Sequence, residues 1–155
     1  MSSIALPARA GPHRPVGLRV LMLFGALFAA GTPVLIAMAA LGVGEFRIGP
    51  RVVDAATWLR VAAPLFALAG LLFAATSYGI ARRRAWSRRP LMALWPAIAA
   101  YAAAGFALGA VRRPELLQAL ADAAVLGAAS YWYLYRKPNV RAYFRALRTR
   151  PRWAV

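Results

Sequence analysis

What most constrains this chain is the placement of its charge-free runs. Between Arg19 and Glu45 lie 25 residues without a charged side chain, Val61 to Ala81 adds 21, and Pro90 to Val111 adds 22. A helix needs only about 20 apolar residues to cross a bilayer. Glu115 to Tyr135 is a less uniform fourth segment, since it contains Gln118 and Asp122. The thirteen residues after Asp122 are uncharged and, Ser130 aside, apolar or aromatic, too few to cross alone, so the whole segment is read as one span.

The reading is an all-α, polytopic membrane protein with four transmembrane helices at about 20–43, 59–81, 90–111 and 115–135. These form a domain of residues 16–136, between a flexible basic leader, 1–15, and a basic tail, 137–155. Composition agrees: 62% of the 155 residues are hydrophobic and 15% are charged, against about a quarter charged in soluble domains. Pro33, Pro64 and Pro96 fall inside the first three spans. There, neighbouring helices can satisfy the carbonyls that proline frees, so kinks are expected rather than ends.

The basic residues sort by side. Fifteen of the 20 lie before span one, between spans two and three, or after span four; the other five, with all four acids, fall in the opposite half. The positive-inside rule then puts both termini in the cytoplasm. Ala37-Met38-Ala39 resembles a signal-peptidase site. The apolar stretch before it exceeds the 7–15 residues of a secretory signal, which disfavours cleavage. Arginine outnumbers lysine nineteen to one in an alanine-rich chain, the codon signature of a GC-rich bacterial genome, so the bacterial inner membrane is the expected location.

After span four the chain reads YLYRKPNVRAYFRALRTRPRW, with seven basic residues and no acid. Asn139 is placed to cap a helix that Pro151 should end. Val140, Tyr143, Phe144 and Leu147 share one face, and Arg141, Arg145 and Arg148 share another. An apolar stripe with a basic flank suits an interfacial helix on the anionic cytoplasmic leaflet. A solvated tail that only sets orientation is the plainer alternative, and nucleic-acid binding, for which no motif is present, is the weaker one. The loop between spans two and three, with Arg82, Arg83, Arg84, Trp86, Arg88 and Arg89, is read the same way, as anionic-lipid contacts or as an orientation signal.

Glu115, Gln118 and Asp122 recur at i, i+3 and i+7 and share a face of span four. An intramembrane acid is a functional-site candidate for ion or proton movement. Pairing of Asp122 with Arg60, Arg112 or Arg113, fastening helices together, is the favoured structural alternative. Glu115 and Asp122 do not form a catalytic carboxylate pair, because seven helical residues separate them by about 10.5 Å. Gly105 and Gly109 make a GxxxG within span three, read as ordinary packing rather than a dimer seam. The outer loop, around Gly49-Pro50, has room for a short hairpin or an interfacial turn but not for a folded domain.

Catalytic equipment is sparse. The chain has no cysteine and one histidine, His13, so thiolate chemistry, Cys-based zinc sites and His-based nucleophile pairs have nothing to be built from. No Walker A, Rossmann, HExxH or GxSxG pattern occurs. No cofactor or metal is expected, and the protein is not read as an enzyme.

Two segments, YGIARRRAWSRRPLMALW at 78–95 and YLYRKPNVRAYF at 133–144, together resemble small bacterial four-helix integral membrane proteins of no established activity. In those, a Trp- and Arg-containing loop joins spans two and three and a similar aromatic-basic segment closes the chain. The resemblance implies four helices and offers no catalytic residues to carry over. Small multidrug-resistance transporters are similar in span number alone, because they place an essential Glu in the first span, where this chain has no acid. The expected role is a noncatalytic assembly, interaction or regulatory component, with membrane lipids and an unidentified membrane protein or a second copy as partners. The alternative is a small oligomeric transporter or channel using Asp122.

Overall fold

The structure, a computed structural model, describes residues 13–148. The leader before His13 and the helix stop expected at Pro151 lie outside the described residues. The described chain is mostly helical: α1 (Val16–Ala40), α2 (Ala55–Val61), α3 (Ala63–Ala81), α4 (Arg88–Ala107), α5 (Arg113–Tyr131) and α6 (Pro138–Arg148). A hairpin of β1 (Phe46–Ile48) and β2 (Arg51–Val53) joins α1 to α2.

Three helical segments, Val16–Ala40, Ala63–Ala81 and Ala85–Ala107, are long and apolar enough to cross a membrane. The segment containing α5 does not join them, because Glu115, Gln118 and Asp122 dilute its apolar content. α1 packs on α3, α3 on α4 and α4 on α5. The outside of this series is apolar as well: Leu27 is 74% exposed, Leu71 69% and Val125 66%. A helix apolar on all sides needs an apolar surrounding.

The prolines act differently from one another. α1 and α4 continue through Pro33 and Pro96, whereas the helix expected at 59–81 is interrupted at Ala62, with Pro64 in the first turn of α3. Tyr101 of α4 donates its hydroxyl to the Val61 carbonyl at 2.8 Å, supplying a partner at the break. The expected kink is here a helix end.

The hairpin pairs Phe46 with Val53 and Ile48 with Arg51. Gly49, at φ +58°, opens its two-residue loop in the left-handed region that a type II′ turn requires. Asp54 caps α2 by accepting from the Thr57 N–H at 2.8 Å and the Thr57 hydroxyl at 2.7 Å. The hydroxyl bond first, and then the N–H bond, hold its carboxyl below the ordinary carboxylate range. A chain of aromatic contacts ties this end to the bundle, from Phe46 to Trp58 at 5.3 Å and Trp58 to Phe66 at 5.4 Å, then Phe66 to Phe28 at 6.2 Å.

The GxxxG of span three has another use. α4 ends at Ala107, Ala110 N–H donates to the Gly105 carbonyl at 2.8 Å, and Gly109 N–H to Phe106 at 3.0 Å. With Gly109 at φ +71° this is a Schellman terminus, so Gly109 lies outside the helix and the pair forms no helix seam. α3 ends the same way, with Arg84 N–H on Gly79 at 2.7 Å and Arg83 N–H on Ile80 at 3.1 Å. The left-handed position there is Arg83, at φ +52°.

Beyond it, the turn Ala85–Ser87 folds back on α3, and a Cβ at Gly79 would lie 2.5 Å from Ser87 Cβ and 3.0 Å from its Cα. Gly79→Ala should therefore destabilise by about 1–3 kcal/mol through overpacking. Arg83→Gly should stabilise by up to about 1 kcal/mol, since relief of about 1–2 kcal/mol of left-handed strain exceeds the added freedom of the unfolded chain. Unfolding of both variants in mixed micelles checks the two signs.

Candidate functional site

α5 does not end where its regular hydrogen bonding does. Trp132–Arg136 continue as a π turn, closed by Lys137 N–H to the Trp132 carbonyl at 3.0 Å. Lys137 is extended, at ψ 121°, as the residue before a proline must be, and Pro138 opens α6. Asn139 is therefore inside the helix and not its N-cap, and its side chain accepts only from the adjacent Val140 N–H at 2.9 Å.

The apolar stripe of α6 is also placed differently from expectation. Val140 is 0% exposed, Tyr143 3% and Phe144 1%, all in one cluster with Leu18 of α1, Ile80 of α3, Leu91 and Leu94 of α4, and Leu134. Leu147 packs against the same cluster. The stripe faces protein, so α6 does not insert it among acyl chains as an interfacial helix would. The helix is amphipathic, but its partner is its own bundle.

Docked this way, α6 closes a cavity of about 410 Å³ lined by Arg88, Tyr131, Tyr135, Arg136, Arg141, Arg145 and Arg148. That volume lies within the about 300–1,000 Å³ of small-molecule sites. Tyr131 and Tyr135 stack at 5.2 Å. Arg88, only 9% exposed, lies 4.2 Å from the Tyr135 ring centroid and 5.3 Å from that of Phe144. The two faces place a cation against aromatic π density. No carboxylate lines the cavity, and among the described residues the ion pairs are Arg47 with Glu45 and Arg51 with Glu115, both at the opposite end.

Of the basic residues singled out from sequence, Arg88, Arg141, Arg145 and Arg148 come together here. Arg82, Arg83, Arg84 and Arg89 are exposed outside the cavity; Arg82 lies over the Tyr78 ring at 5.7 Å, and Trp86 is 39% exposed. Sequence reasoning missed Tyr131, Tyr135 and Arg136. The i, i+4 spacing of the two tyrosines, directly before the Arg-Lys-Pro corner, was the available signal.

The polar face of α5 divides. Glu115, 9% exposed, accepts from Arg51 Nε at 2.8 Å and Nη2 at 3.3 Å, and from the Arg112 N–H at 2.8 Å. One carboxylate thus caps α5 and holds the hairpin to it. A Cβ on Gly49 would sit 3.2 Å from Glu115 Cγ, so the hairpin loop rests on this side chain. Gln118 and Asp122 are exposed. Asp122 makes no ion pair with Arg60, Arg112 or Arg113; the fastening role assigned to it belongs to Glu115. Asp122 and Gln118 do line a second cavity of about 410 Å³, with Tyr101, Phe66 and Glu115.

No group of three His, Asp or Glu among the described residues is arranged to hold a metal ion. Comparison with protein-family models, with curated proteins and with solved structures gives no match.

Glu115→Gln keeps an acceptor for the cap and loses the ion pair, whereas Glu115→Ala loses both. Glu115→Ala should cost about 1–3 kcal/mol and Glu115→Gln less. Adding Arg51→Ala to Glu115→Ala should cost little more, which a double-mutant cycle of unfolding free energies measures.

Proposed function

We propose that this is a noncatalytic integral membrane component of the bacterial inner membrane, one that engages the anionic cytoplasmic leaflet and serves assembly, interaction or regulation there. In this reading α1, the α2–α3 pair, α4 and α5 all cross the bilayer, and both termini are cytoplasmic. The separation of charge along the bundle carries it. The end formed by the start of α4, the π turn and α6 gathers five arginines around one cavity without an acid. Glu45, Asp54 and Glu115 lie at the hairpin end.

α5 has 19 residues, about 28 Å of helix, and the π turn adds to it, against about 30 Å of hydrocarbon. Its outward side chains Leu117, Val125 and Leu126 are exposed, as lipid-facing residues are. Tyr131 and Trp132, 47% and 59% exposed, fall where an interfacial aromatic belt is expected.

The chain has no cysteine, so single cysteines report topology cleanly. With Val52→Cys and Arg148→Cys variants in spheroplasts, an impermeant maleimide should label position 52 and leave 148 unlabelled until the membrane is permeabilised. Labelling of 148 from outside would mean that α5 does not cross.

A second reading is favoured by one observation, the cavity that Asp122 shares with Gln118 and Tyr101. There the protein is a small oligomeric transporter or channel, and Asp122→Asn abolishes proton or ion flux into liposomes. Absence of flux in the unaltered protein removes this reading.

A further inference from the structure

We infer that the arginine cavity is a binding site for a terminal phosphate, monoester or diphosphate, carried on a membrane lipid. Orientation signals require charges near the membrane, not buried ones. Arg88 is nine-tenths buried, and its guanidinium makes no hydrogen bond or ion pair with any described residue, only contacts with the faces of Tyr135 and Phe144. A largely buried guanidinium without a counter-charge is costly, and an anion bound against it offsets that cost. Arg141 and Arg145 stand one turn apart on α6 and face the same cavity as Arg88 and Arg136. The five guanidiniums around this space repel one another, so it selects a ligand of high negative charge.

Phosphate fits both the charge and the planar fork geometry of arginine. A phosphodiester headgroup brings one negative charge to five cations, whereas a terminal phosphate brings nearly two and a diphosphate more. Tyr131 and Tyr135 supply stacked rings on one wall, and low-dielectric surface beside a charged hydrogen bond strengthens it. Given the bilayer placement proposed above, on which this assignment rests, the cavity opens at headgroup depth beside exposed Trp132, so the phosphate arrives on a lipid.

The test uses the full chain in three nanodiscs: phosphatidylcholine with phosphatidic acid, phosphatidylcholine with phosphatidylglycerol at matched surface charge, and phosphatidylcholine alone with soluble diphosphate. Native mass spectrometry and thermal unfolding read bound lipid and stabilisation. The expected result is retention of phosphatidic acid at least about tenfold over phosphatidylglycerol. Arg141→Gln with Arg145→Gln should reduce that preference to near parity. Both side chains are exposed, so this variant keeps the fold; Arg88→Lys, which keeps the charge but loses the fork, should lower the preference by a smaller factor.

Equal retention of the two anionic lipids, unchanged by Arg141→Gln with Arg145→Gln, would overturn the site and leave the arginines as orientation signals. Stabilisation by soluble diphosphate in neutral discs, with no preference for phosphatidic acid, would overturn the lipid source. Failure of the protein to remain in carbonate-washed membranes would instead contradict the bilayer placement, a separate result from either.

Discussion

The basic end of the molecule depends on the seating of α6 by three side chains. Val140, Tyr143 and Phe144 are buried against residues from α1, α3, α4 and the π turn, and that contact orients the rest of the helix. With the apolar stripe held down, Arg141, Arg145 and Arg148 line the same cavity as Arg88 and the tyrosine pair. The π turn sets the corner: its wider hydrogen bonding lengthens α5 past Tyr131 and ends in an extended Lys137, so that Pro138 can start α6 beside the bundle. An uncompensated positive cavity thus results from ordinary hydrophobic packing, which is strong enough to hold like charges together.

The opposite end uses the reverse arrangement. The protein spends one of its four acids, Glu115, on a buried junction where a helix N-terminus, a hairpin and a bidentate arginine meet. Each partner satisfies part of the carboxylate, which makes its burial tolerable. Between the two ends the helices are held by shape and aromatic contact: Phe28 meets Phe73 at 5.0 Å and Phe24 meets Phe73 at 5.6 Å. In a bilayer, where apolar surface gains little by leaving lipid, such packing is the available glue.

Much of this was legible in the sequence. The charge-free runs located α1, α3 and α4, and the Gly49-Pro50 pair located the hairpin loop. The i, i+3, i+4 spacing of Val140, Tyr143 and Phe144 gave α6 its amphipathic face. What a single sequence does not say is which surface an apolar face meets. Lipid and protein impose the same pattern, so the stripe of α6 suits the leaflet by spacing yet packs on the bundle. Likewise Gly105 and Gly109 fit a helix seam by spacing, but the left-handed φ of Gly109 makes it a terminator. Asp122 stood out because it lies deepest in its segment; Glu115, nearer the end, is the acid with partners, because the hairpin reaches it from 64 residues away in the chain.

With Val140, Tyr143 and Phe144 buried in the bundle, α6 is a docked part of the protein and not a leaflet-bound tail. Hydrogen exchange of the backbone amides of residues 141–147, in nanodiscs of neutral lipid alone, separates the two arrangements. Docking predicts strong protection there without anionic lipid, because Val140, Tyr143 and Phe144 are held by protein. Rapid exchange in neutral lipid, with protection only when anionic lipid is added, would contradict it and return α6 to the membrane surface.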